Sequence, residues 1–133
     1  MLGRENALDW NQTGPQGPAG TAVAFAAVSA GGIVNAGASE NVAQASVSHP
    51  ADGLYCFGGL GFTPKSVLIT PISGINANLE PTNIDTIATA IIAFPPTSTA
   101  FGCADTDNVR VRTIAASSPT TLANRGFLIW FED

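Results

Sequence analysis

Gly126-Phe127-Leu128-Ile129-Trp130-Phe131 is a run of large apolar side chains after a single glycine. Its length and its aromatic and β-branched content fit a strand. Successive side chains on a strand point to opposite faces, so this one is apolar on both. Thr86-Ile87-Ala88-Thr89-Ala90-Ile91-Ile92-Ala93-Phe94 repeats the pattern, and its β-branched residues argue against a helix. A strand apolar on both faces needs a covering layer on each side. In a lone β-sandwich only one face meets the core. The other face is therefore expected to meet a further subunit or a packed extension.

Outward from these runs the chain reads as all-β from residue 21 onward. Short stretches rich in Val, Ile, Thr and Phe alternate with glycine and proline. Strands are expected near 22–30, 41–48, 53–58, 66–72, 84–94, 108–115 and 125–131. In Val109-Arg110-Val111-Arg112 the valines are expected to face the core and the arginines solvent. Ala43, Ala45 and Val47 are expected to alternate in the same way with Gln44, Ser46 and Ser48. Gly31-Gly32 and Pro50-Ala51-Asp52-Gly53 supply turn chemistry, since glycine accepts positive φ. Pro95-Pro96 ends its strand, because proline cannot donate to the ladder.

Before the β region stands Gly14-Pro15-Gln16-Gly17-Pro18-Ala19-Gly20. Gly14, Gly17 and Gly20 keep strict three-residue register, and Pro15 and Pro18 follow the first two. This is the collagen pattern, in which only glycine fits at the axis of three wound chains. An ordinary polyproline-type linker is the alternative. At about 3.1 Å per residue the segment spans roughly 20 Å, too short to hold three chains by itself. The chain thus divides into a linker or stalk remnant at 1–13, a collagen-like segment at 14–20 and a β-sandwich head at 21–133.

Composition narrows the function classes. Charged residues make up 11% of the 133, against roughly 25% in an average soluble domain. Obligate interfaces are depleted in charge, so self-association is one outlet for such a surface. The net charge is −5, and Arg4, Lys65, Arg110, Arg112 and Arg125 are scattered, which argues against a nucleic-acid partner. No apolar run approaches the ~20 residues of a membrane-spanning helix. The opening MLGRENALDW lacks an apolar h-region, so no signal peptide is expected there. Cys56 and Cys103 have no histidine beside them and no zinc-site spacing. In an oxidising compartment they are candidates for a disulfide; the alternative is two buried thiols packed as small apolar groups.

Residues that could carry chemistry are few. His49 lies near Ser46, Ser48 and Asp52, but neighbours along a strand and turn do not converge into a triad, and no nucleophile elbow is present. A turn histidine is the plainer reading. Asp105-Thr106-Asp107-Asn108 offers oxygen ligands for calcium but lacks the spacing and distant glutamate of a strong site, which favours a solvated loop. Trp10 and Trp130 could stack on sugars; Trp130, in the most apolar strand, is better read as packing in the core or an interface. Gly58-Gly59-Leu60-Gly61-Phe62 lacks the lysine of a phosphate loop and reads as a turn. Asn11-Gln12-Thr13 matches a glycosylation sequon, a pattern loose enough to arise by chance.

A glycine repeat running into Ala24-Phe25-Ala26, then Gly53-Leu54-Tyr55-Cys56-Phe57, then Arg125-Gly126-Phe127-Leu128-Ile129, resembles the trimeric globular heads that cap collagen-like stalks. The complement-type and tumour-necrosis-factor-like heads are the known examples. The blend of GPQGPAG, SHPADGLYCF and RGFLIWFED is similar to collagen-repeat proteins of actinobacteria and their phages. The resemblance implies a jelly-roll-like antiparallel β-sandwich, three copies around an axis, with the stalk at one end. It carries over no ligand residues. Phe127, Ile129, Trp130 and Phe131 are the candidates for core or trimer interface. The expectation is a non-enzymatic homotrimer without cofactor, extracellular, at a cell surface or on a phage virion, that registers and caps the stalk. The alternative is an adhesin or fibre tip that binds a surface glycan or protein.

Overall fold

A computed structural model describes residues 22–75, 81–92 and 102–133. The linker with Trp10 and the sequon, the collagen-like segment 14–20, Ala93, Phe94 and Pro95-Pro96 lie outside the described residues. The described chain is all-β and antiparallel, with no α-helix. Its strands are β1 Ala22–Val28, β2 Val47–Ala51, β3 Leu54–Gly58, β4 Ser66–Pro71, β5 Gly74–Ile75, β6 Pro81–Thr82, β7 Thr86–Ile92, β8 Asp107–Ala115, β9 Ser118–Leu122 and β10 Phe127–Glu132. A three-stranded sheet has the order β1-β10-β4. A five-stranded sheet has the order β2-β3-β8-β7, with β9 also on β8, and β5 pairs with β6. β4, at the edge of the first sheet, runs close to β7, at the edge of the second.

β10 organises the core. Phe127, Ile129 and Phe131 are fully buried, while Leu128 and Trp130 on the alternate positions face outward. From the opposite sheet Tyr55 and Phe57 on β3 and Val109 and Val111 on β8 close over them, as the Val/Arg alternation predicts. Phe57 meets Phe131 and Phe127 edge-to-face at 5.3 and 6.2 Å, and Tyr55 meets Phe127 at 5.0 Å. Such pairs add about 0.5–1.5 kcal/mol each beyond the area they bury.

The free edge of β1 is covered by the segment that follows it. A turn at Ser29–Gly32, with Gly32 at φ 81°, reverses the chain where Gly31-Gly32 predicts it. Phe25 and Glu40 then exchange backbone hydrogen bonds of 3.0 and 2.8 Å, Ala27 N–H donates to Ser39 Oγ, and the Asn41 amide donates to the Val23 carbonyl. These bonds satisfy a row that would otherwise invite pairing with another chain.

Two expectations need correction. Residues 41–48 are not one strand: Gln44–Ser46 form a 3-10 turn and β2 starts at Val47. Asn41 sits at φ 59°, which interrupts extended chain. The Gln44 side chain accepts from Val34 N–H and donates to the Gly32 carbonyl, tying the turn down. Val47 is buried as expected, but Ala43 and Ala45 are exposed and Val42 is buried in their place. The second correction is β9, absent from the reading because Ser-Pro-Thr-Thr-Leu carries little apolar pattern; it is an exposed edge piece on β8.

Tyr55, the only tyrosine, clamps two connections. Its hydroxyl donates to the carbonyls of Ala30 at 2.7 Å and Arg125 at 3.2 Å, holding the chain after β1 to the chain before β10. Burial, the largest cause, pushes the phenol above its ordinary value of 10.0, against the pull of the Arg125 charge. In the folded chain Tyr55 therefore keeps its proton to higher pH than in the unfolded chain. Its contribution is complete below pH 10 and declines as pH rises through the folded value. Difference absorbance of this single phenol is expected to titrate above 10.0 in buffer and near it in denaturing urea; identical titrations would contradict the burial of the phenol. Tyr55→Phe is expected to cost about 1–2 kcal/mol in urea unfolding at neutral pH.

Candidate functional site

The feature that stands out is the outer face of β1-β10-β4. Register places Phe25, Trp130 and Leu68 in one row across the three strands and Ala27, Leu128 and Thr70 in the next. Leu68 is 63% and Trp130 47% exposed. The Phe25 and Trp130 rings stack at 5.4 Å. Past Leu128 the face ends in a cleft of about 410 Å³ lined by Ile33, just after the turn that follows β1, by Ile72, just beyond β4, and by Gly126. At the opposite end, where β1 begins, Glu132 accepts from Ser66 Oγ at 2.6 Å, and Glu40 flanks Phe25 along the edge of β1. A largely apolar surface from Phe25 to Ile72, with carboxylates at its border, is the pattern of an interaction site.

A second, narrower apolar strip lies on β7. Ile87 and Ile91 point outward, with exposed Ile84 just before the strand, while Ala90 and Ile92 face the core. Beside it on β8 stand Arg110 and Arg112, register partners of Ile91 and Thr89. Among the described residues, every exposed large apolar side chain belongs to one of these two surfaces. The sequence-derived candidates thus separate: Phe127, Ile129 and Phe131 are core, and Trp130 is surface.

The polar candidates turn out to be structural. The His49 ring lies flat on Tyr55 at 4.4 Å, and its Nδ1 donates to the Leu54 carbonyl at 2.8 Å. It lies on β2 rather than in a turn, and its ring is committed to packing. Asp107 accepts from Ala104 N–H at 2.9 Å and returns its own N–H to the Ala104 carbonyl. That local turn is what Asp and Asn supply in solvated loops.

Cys56 and Cys103 form a disulfide. Tyr55 and Phe57 face the core, so Cys56 between them points to the outer face, where Cys103 covers it. Both sulfurs are spent in the bond, so their closeness to the Asp107 carboxylate does not make a thiolate metal site. The bond closes a loop with a sequence separation of 47 and pins the segment before β8 onto β3. Reduction with alkylation is expected to lower unfolding stability by up to about 4 kcal/mol in the chain-entropy account, with strand content by far-UV circular dichroism preserved. Unchanged urea unfolding would contradict that role.

Comparison with family models, curated proteins and solved structures gave no match. The functional reading therefore rests on this chain's own surfaces. Sequence reasoning missed Phe25, Leu68 and Ile72 as members of the face. The signal was available in Ser66-Val67-Leu68-Ile69-Thr70, whose apolar run exceeds what one buried face needs, but pairing it with β1 and β10 required the topology.

Proposed function

We propose that this chain is a non-enzymatic structural protein, a trimeric jelly-roll-like head that registers and caps a collagen-like stalk. The observation that carries the reading is the apolar outer face of β1-β10-β4, on the sheet whose first strand follows almost directly on GPQGPAG. A triple helix gains nothing until three chains are in register, and a head that associates through this face raises the local concentration of the three glycine repeats. The buried disulfide fits an oxidising location such as a cell exterior or a virion.

Size exclusion with light scattering is expected to return the mass of three chains at micromolar concentration; a monomer would refute the trimer. In this account the β-domain, not the short repeat, holds the chains together. Gly17→Ala is therefore expected to leave that mass unchanged, and conversion to monomer would assign assembly to the repeat instead.

A further inference from the structure

The two apolar surfaces are separate, and a cyclic assembly needs two. A two-fold dimer joins one patch to its own copy, whereas a closed ring of three joins one patch to a different patch on the next subunit. We infer that the outer face of β1-β10-β4 of one copy receives the β7 strip of the next, with the symmetry axis running beside the β4/β7 edge. This rests on the trimeric reading above and names its seam.

Three observations converge on it. The surfaces flank one edge of the sandwich, because β4 and β7 run side by side. In a ring, the two contact surfaces of a subunit lie on either side of its axis-facing edge. Their extents differ in the required sense: one spans three strands and ends in a cleft between Ile33 and Ile72, and the other is a single row of exposed Ile84, Ile87 and Ile91. Their rims differ in net charge: Glu40 and Glu132 outnumber Lys65 around the broad face, and Arg110 and Arg112 outnumber Asp85 along the β7 strip. Apolar centres with rims of opposite sign give a seam both its affinity and its direction. A face that met only its own copy would leave the exposed Ile84, Ile87 and Ile91 in water.

The test places a charge on each surface in the full chain. Trp130→Asp and Ile91→Asp are each expected to reduce the light-scattering mass from three chains to one. Both positions are exposed, so circular dichroism should stay native. If Ile91→Asp fails to fold, Thr89→Arg on the same outward row takes its place. Mixing the two monomeric variants is the decisive step. Each retains the surface the other lacks, so the mixture is expected to form a two-chain species that neither variant forms alone. A mixture that stays monomeric, or an Ile91→Asp or Thr89→Arg chain that stays trimeric, would overturn the seam while leaving a trimeric wild type intact. A monomeric wild type would instead overturn the trimer itself.

Discussion

A strand turns every second side chain away from the core, and β10 places large apolar groups on both sides. Much of the molecule follows from that. Inward, Phe127, Ile129 and Phe131 give the opposite sheet its packing surface, which Tyr55, Phe57, Val109 and Val111 complete. Outward, Leu128 and Trp130 gather Phe25 from β1 and Leu68 from β4 into one apolar surface. β10 sits between β1 and β4, so its register sets which side chains share that surface. A slip of one residue would exchange core and surface.

The remaining polar groups hold this arrangement in place. The edge of β1 is closed by the backbone and side chains of residues 33–41 rather than by a further strand, so edge-to-edge association there is blocked. Tyr55 ties the chain ends flanking the core to each other, and His49 packs on its ring. Asn124 accepts from Gly53 N–H at 2.7 Å and donates to the Asp52 carboxylate, fixing the β2–β3 turn against the approach to β10. With His49, Asp107 and both cysteines engaged in such fixing, the functional weight falls on the apolar surfaces.

The architecture was legible where period-two alternation was strong. Val109 to Arg112 yields strand, facing and burial together, because only one of its faces suits a core, whereas Phe127 to Phe131 yields the strand but not which of its two apolar faces is buried. Legibility failed where a polar side chain replaced the ladder. In Asn41 to Ser46 only the tolerance of Asn for the left-handed region hints at the positive φ of Asn41, and nothing marks the Gln44 clamp, which depends on residues 32–34 being adjacent in space. β9 was invisible because an exposed edge strand needs no apolar alternation. The site was half legible. Trp130 stood out by its type, but only the β1-β10-β4 order shows that it belongs to a surface and that Phe25 and Leu68 flank it. The disulfide stood as one of two alternatives, and the pairing of β3 with β8 brings Cys56 alongside the segment that carries Cys103.

In the proposed trimer the outward face of β10 is covered by another copy of the chain. Trp130 reports on this directly, because the only other tryptophan is Trp10. In a Trp10→Phe variant, acrylamide quenching of the Trp130 fluorescence should be followed as the protein is diluted. The account predicts a shielded indole at high concentration that becomes readily quenched as the mass falls from three chains to one. Quenching at the level of an open indole, unchanged across all concentrations, would contradict it.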